Sequence, residues 1–119
     1  MGYATTKMSL GAKDEVVTDT AVNTTVSSDV LVGSGKVYSI HLKNDHASNP
    51  AYFRAANLAA PTVGTTPPSL MLKIAANTEK SWTIVDGLAF TNFSFWATTG
   101  GDDDNAVAAD DLKAFLALR

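Results

Sequence analysis

The sequence predicts an all-β protein: a single-domain antiparallel β-sandwich, jelly-roll or Ig-like, with a loosely ordered N-terminal arm. Three observations lead there. Segments of period-two alternation recur at roughly 8–12-residue spacing, separated by Gly, Pro and Asn. The first third is rich in Thr and Val, whose branching at Cβ restricts χ1 and favours extended backbone. The length of 119 residues suits one domain, with an expected radius of gyration of roughly 13–14 Å and about two thirds of the unfolded surface buried.

Residues 1–12 show little apolar periodicity and read as an arm, with the sandwich occupying 13–119. Ends of this kind order against a neighbour. The Thr-rich stretch Met1–Thr25 is therefore expected to add a strand to a neighbour's sheet edge. Gly33-Ser34-Gly35 reads as a hairpin turn. In Lys36–Lys43, Tyr38, Ile40 and Leu42 share one face and polar residues such as His41 and Lys43 the other, which is a half-buried strand. Asn44–Pro50 carries loop chemistry. Ala51–Asn57 is the return strand, with Tyr52, Arg54 and Ala56 opposite Ala51, Phe53 and Ala55.

Pro61, Gly64, Pro67 and Pro68 punctuate Ala59–Ser69, which neither helix nor ladder tolerates. This segment is expected to cross between sheets as an extended loop. Leu70, Leu72 and Ile74 then alternate with Met71, Lys73 and Ala75, and Trp82 and Ile84 with Ser81, Thr83 and Val85. Asp86-Gly87 is a turn signal. Phe93 and Phe95 alternate with Ser94 and Trp96. At the C-terminus, Leu112, Phe115 and Leu116 fit a helical stripe. Leu112, Ala114, Leu116 and Leu118 also alternate strictly with their neighbours. A sandwich must cover its open edges, which tips the reading to strand.

Composition narrows the function. Net charge is −3 and the isoelectric point about 5.1, so no polyanion-binding surface is implied and nucleic acid is not expected as a partner. With no cysteine, thiol catalysis, disulfides and Cys-ligated zinc are excluded. No apolar run reaches the roughly 18 residues of a membrane span, and no signal-peptide core is visible. The expectation is a soluble intracellular or particle-bound domain without a membrane partner.

Candidate chemistry is sparse. His41 and His46 flank a strand end, but zinc needs three or four converging ligands; one histidine on a polar face and one in a wet loop is the expected arrangement. Asp102, Asp103 and Asp104 lack the alternation of a calcium loop and read as a solvated loop. Ser, His and carboxylates are present without a Gly-x-Ser-x-Gly elbow. Gly33-Ser34-Gly35 is not followed by the Lys-Ser/Thr of a phosphate loop. Glu79 and Asp86 lie too far apart along one strand for glycoside chemistry. No metal, cofactor or catalytic residue is assigned, and the chain is not expected to be an enzyme.

Two surface features remain. Alternation places Trp96 with Thr98 on the face opposite Phe93, Phe95 and the core, where a large aromatic marks subunit contact. Trp96 or Tyr52 also makes a carbohydrate-stacking module an alternative. The Ala59–Ser69 loop is stiffened by proline, so ordering it at an interface loses less entropy. Pro61, Val63, Pro67, Pro68 and Trp96 are the expected interface residues.

From Val30 to Gly100 the sequence resembles small virion structural proteins of tailed bacteriophages. The resemblance rests on the order of Gly35-Lys-Val-Tyr-Ser-Ile-His-Leu-Lys-Asn44, Ala51-Tyr-Phe-Arg-Ala-Ala-Asn57, Pro61-Thr-Val-Gly-Thr-Thr-Pro-Pro68, Ala76-Asn-Thr78 and Asp86-Gly-Leu-Ala-Phe90. It implies a non-enzymatic β-sandwich subunit of the virion, assembled in the host cytoplasm. Capsid decoration (cement) proteins, which are often homotrimers on the major capsid protein, are the first expectation. Tail, neck or fibre-base subunits are the alternative. The family defines no catalytic residues.

Overall fold

The structure is a computed structural model that describes residues 4–7, 15–28, 30, 34–100 and 111–118, with 4–7 and Glu15 by backbone alone. Eight strands follow in order: β1 Ala4–Lys7, β2 Glu15–Val22, β3 Gly35–Asn44, β4 Ala51–Asn57, β5 Leu70–Ile74, β6 Thr78–Phe90, β7 Phe93–Thr98 and β8 Leu112–Leu118. They form two antiparallel sheets, β1-β2-β8-β3-β6 and β5-β4-β7. The radius of gyration is 13.3 Å. The all-β, two-sheet expectation is met, and the C-terminal segment is the strand that alternation indicated.

The core lies between the sheets. The five-stranded sheet contributes Val17, Val22, Val37, Ile40, Leu42, Leu112, Ala114, Leu116 and Leu118; the three-stranded sheet contributes Ala51, Phe53, Ala55, Phe93, Phe95 and Ala97. Phe53 and Phe95 sit 5.4 Å apart and Phe93 and Phe95 6.1 Å apart between ring centroids, in the tilted geometry that aromatic quadrupoles favour. Strict alternation in β8 buries every second residue, because a strand turns successive side chains to opposite faces.

Several sequence expectations are corrected by the pairing. In β3 the core residue is Val37, and Tyr38 is only half-buried. A bulge between Val37 and Ser39 shifts the phase by one residue, so Ile40 and Leu42 rejoin Val37 on the inner face. Ala51–Asn57 does not return against β3. Its strand β4 belongs to the other sheet, between β5 and β7. Loop 45–50 therefore makes the crossing, and Asn44 secures it. Its Nδ2 lies 2.9 Å from Asn49 O and 3.3 Å from Ile74 O, while its Oδ1 accepts the His46 amide at 3.0 Å. The proline-rich loop stays within one sheet and joins β4 to β5.

β8 lies between β2 and β3, so these two strands form no hairpin; Gly33 of the expected Gly33-Ser34-Gly35 turn lies outside the described residues. After β2 the chain crosses to β7, where Ser27 exchanges backbone hydrogen bonds with Phe95 (2.9 and 3.2 Å) and Val30 N donates to Phe93 O at 2.8 Å. Asp86-Gly87 is not a strand-ending turn either, since β6 runs through it to Phe90. The N-terminal segment is not held out for a neighbour at residues 4–7. These pair with Thr18–Glu15 of the same chain. The rest of 1–12, apart from 4–7, lies outside the described residues.

Candidate functional site

The expected interface residues divide into buried and accessible ones. Trp96 is 1% exposed, so the expectation of a surface indole is corrected. Register sets it opposite Arg54 on the outer face of the three-stranded sheet. Arg54, Ala56, Ser94 and Thr98 on that face are also buried. The Arg54 guanidinium donates to Thr98 Oγ1 at 3.0 Å and to Gly100 O at 2.8 Å. These bonds replace the water a buried cation gives up. A carbohydrate platform built on Trp96 loses its aromatic plane; Tyr52, half-buried, carries Lys73 Nζ 5.7 Å from its ring centroid.

Loop 58–69 leans on this covered face. The Ser94 hydroxyl donates to Leu58 O at 2.6 Å, and Pro61 is buried. Pro61 therefore anchors the loop and is corrected as a contact residue. The tip braces itself: Thr65 N and Thr66 N donate to Thr62 O, and Thr62 N donates to Thr66 Oγ1 at 2.9 Å. Gly64, at φ 85°, supplies the left-handed turn. Val63 and Pro68 are half-buried and Pro67 is exposed, so these three remain available for contact.

The histidines are not brought together. His46 sits in loop 45–50, where its Nδ1 accepts the amides of Ser48 (3.1 Å) and Asn49 (2.9 Å). His41 stands on the polar face of β3, its ring tilted against that of Phe115 with centroids 5.8 Å apart. Its Nδ1 contacts Ser81 Oγ and its Nε2 lies 3.2 Å from Glu79 Oε2. Sequence reasoning missed this Ser–His–Glu row, although cross-strand register makes it: Ser81 is paired with His41, and Glu79 is two residues away on the same face. The order of groups matches a nucleophilic triad. The setting does not. Glu79 is 58% exposed and the row lies on an open sheet face, so water is not excluded and its charges are screened. We read it as a cross-strand polar brace.

Beside it, Lys43, Asn44, Asp45, Asn77, Thr78 and Glu79 line a polar hollow of about 140 Å³. Asp45 there is held between Lys113 at 3.0 Å and Lys43 at 3.7 Å. The hydrogen bond from Lys113 keeps its carboxyl below the usual range. Mixed charge already paired leaves the hollow no preference for either sign of ion. Among the described residues no group of three or more potential metal ligands converges. Asp102–Asp104 lie outside the described residues.

A second, apolar hollow of about 60 Å³ opens between the sheets and is lined in part by Ala56, Leu70, Leu88, Phe90 and Phe93. It adjoins β6, which is an edge strand. Leu70 and Leu72 of β5 and Trp82 and Ile84 of β6 itself are only partly buried against the core. Compared with protein-family models, curated proteins and solved structures, the chain gives no match.

Proposed function

We propose that this chain is a structural subunit of a tailed-bacteriophage virion that works as a capsid decoration protein. It assembles as a homo-oligomer, with a trimer as the expected state, and grips the major capsid protein from outside. The observation that carries the reading is the ordered series of motifs from Gly35 to Phe90. The self-braced loop 58–69 supports it. A decoration subunit must meet many equivalent places on a shell, and its hold comes from modest contacts multiplied by valency. A loop pre-stiffened by Pro67, Pro68 and its own hydrogen bonds loses little entropy on docking. Val63, Pro67 and Pro68 are its contact residues.

Reconstruction of the parent particle tests the reading. Density for this fold at repeated positions over the shell is expected. Density only at a tail, neck or fibre base reassigns the protein there, and absence from the particle refutes both roles. Added to shells stripped of the protein, the Val63→Asp variant should co-sediment less than the wild type.

A further inference from the structure

The least explained part of the surface is the middle of β6. Across the β3–β6 ladder, Val37 pairs with Leu88 and Ser39 with Thr83. Four β6 residues, Ile84 to Gly87, thus stand opposite Tyr38 alone, and the strand bulges outward. The bulge is firm. Gly87 has φ 76°, and a Cβ there would meet Lys36 Cβ and Cδ at 2.9 Å and Tyr38 Cε1 at 3.0 Å. Lys36 Nζ donates to Asp86 O at 3.3 Å. At the tip Val85 is 87% exposed. Scattered apolar residues on a surface are ordinary. A valine held out on a braced bulge, next to a sheet edge unpaired among the described residues, presents an apolar knob at little entropic cost.

The same chain carries a fitting recess. The 60 Å³ apolar hollow opens beside Leu88, itself 39% exposed. It shares Asn57, Ala89 and Phe90 with an open notch that Lys36 also lines. The charges around knob and recess are complementary. Among the described residues the Asp86 carboxylate forms no ion pair and the Lys36 ammonium meets only the Asp86 carbonyl. A knob, a hollow and both signs of charge on one corner make a second copy of this chain the fitting occupant.

We propose that this corner is a contact between copies of the chain, in which Val85 of one copy enters the hollow lined by Leu70, Leu88, Phe90 and Phe93 of the next, with Asp86 meeting the next copy's Lys36 at the rim. The inference rests on the self-association in the reading above and is independent of the virion role.

The test is the mass of the isolated full chain by sedimentation equilibrium over a concentration series. The wild type should associate. Val85→Asp should weaken association about ten- to a hundredfold, as expected from burying one valine, while its thermal melting and far-ultraviolet spectrum stay unchanged because the side chain is exposed. Asp86→Lys should weaken it, and Lys36→Glu combined with Asp86→Lys should restore it. A wild type that stays monomeric overturns the proposal. So does a Val85→Asp variant that associates normally, or one of unchanged mass that no longer attaches to shells, which would assign the corner to another protein. Association lost in these variants with the wild type absent from particles would uphold the contact and sink the virion role.

Discussion

Asp19 shows how one side chain couples both sheets. It is fully buried on β2, where the pairing with β8 slips between Asp19 and Val22. Its Oδ1 accepts the Ala21 amide at 3.0 Å and its Oδ2 the Ser27 hydroxyl at 3.1 Å, so it ties the crossing segment that pairs with Phe95. Burial pushes its carboxyl above the usual 3.8, partly offset by those two hydrogen bonds. An acid with a raised folded pKa binds protons more readily in the native state, so its share of stability falls as pH rises from 3.8 through the raised value. Asp19→Asn should remove that share: between the two values its melting temperature should depend less on pH than the wild type's. An identical slope in the two proteins would show that Asp19 does not titrate as described. Asp45 acts with the opposite sign and below 3.8, where its lowered pKa makes its share of stability drop as the pH is lowered. Of these residue-level facts, little was legible in the sequence. Alternation gives a side chain's face, but not whether another segment covers that face, which is why Trp96 is buried where exposure was expected, with Arg54 buried beside it.

Among the elements, β6 departs most from its pattern. Asp86-Gly87 carries turn chemistry, and the chain does use Gly87 in a left-handed conformation. It spends that conformation on a bulge within a strand, because β3 continues on the other side and pairs again at Leu88. A dipeptide specifies a local bend, whereas its partner strand decides whether the bend ends the ladder. Gly87→Ala combines a positive φ with contacts under 3.0 Å to Lys36, and it should cost about 1–3 kcal/mol, read as a lower urea midpoint at unchanged m-value. A neutral result would mean that the bulge is loose, and it would also weaken the case for Val85 as a rigid knob. The β5 strand is the contrasting case. Leu70, Leu72 and Ile74 face inward and Met71 and Lys73 outward, as alternation required, because no bulge interrupts it.

For the molecule as a whole, the decisive feature is that the last strand is central. β8 lies between β2 and β3 and buries Leu112, Leu116 and Leu118. Each is worth about 1.5–3 kcal/mol of transfer energy, against a total stability of about 5–15 kcal/mol. The five-stranded sheet therefore cannot close until β8 is available. A chain truncated after Asp111 should lose its cooperative calorimetric transition; a sharp transition in that fragment would contradict the central role of β8.

Much of the β content could be read from residues alone: Thr and Val stiffen the backbone, and alternation in β5, β7 and β8 marks a buried side. Those are local effects of covalent structure and of apolar surface leaving water. Strand order, sheet membership and the covered outer face were settled only by the folded chain. They depend on which unpaired backbone edges and apolar faces meet across long separations in sequence, and a one-residue bulge at Tyr38 is enough to change which side chains face the core.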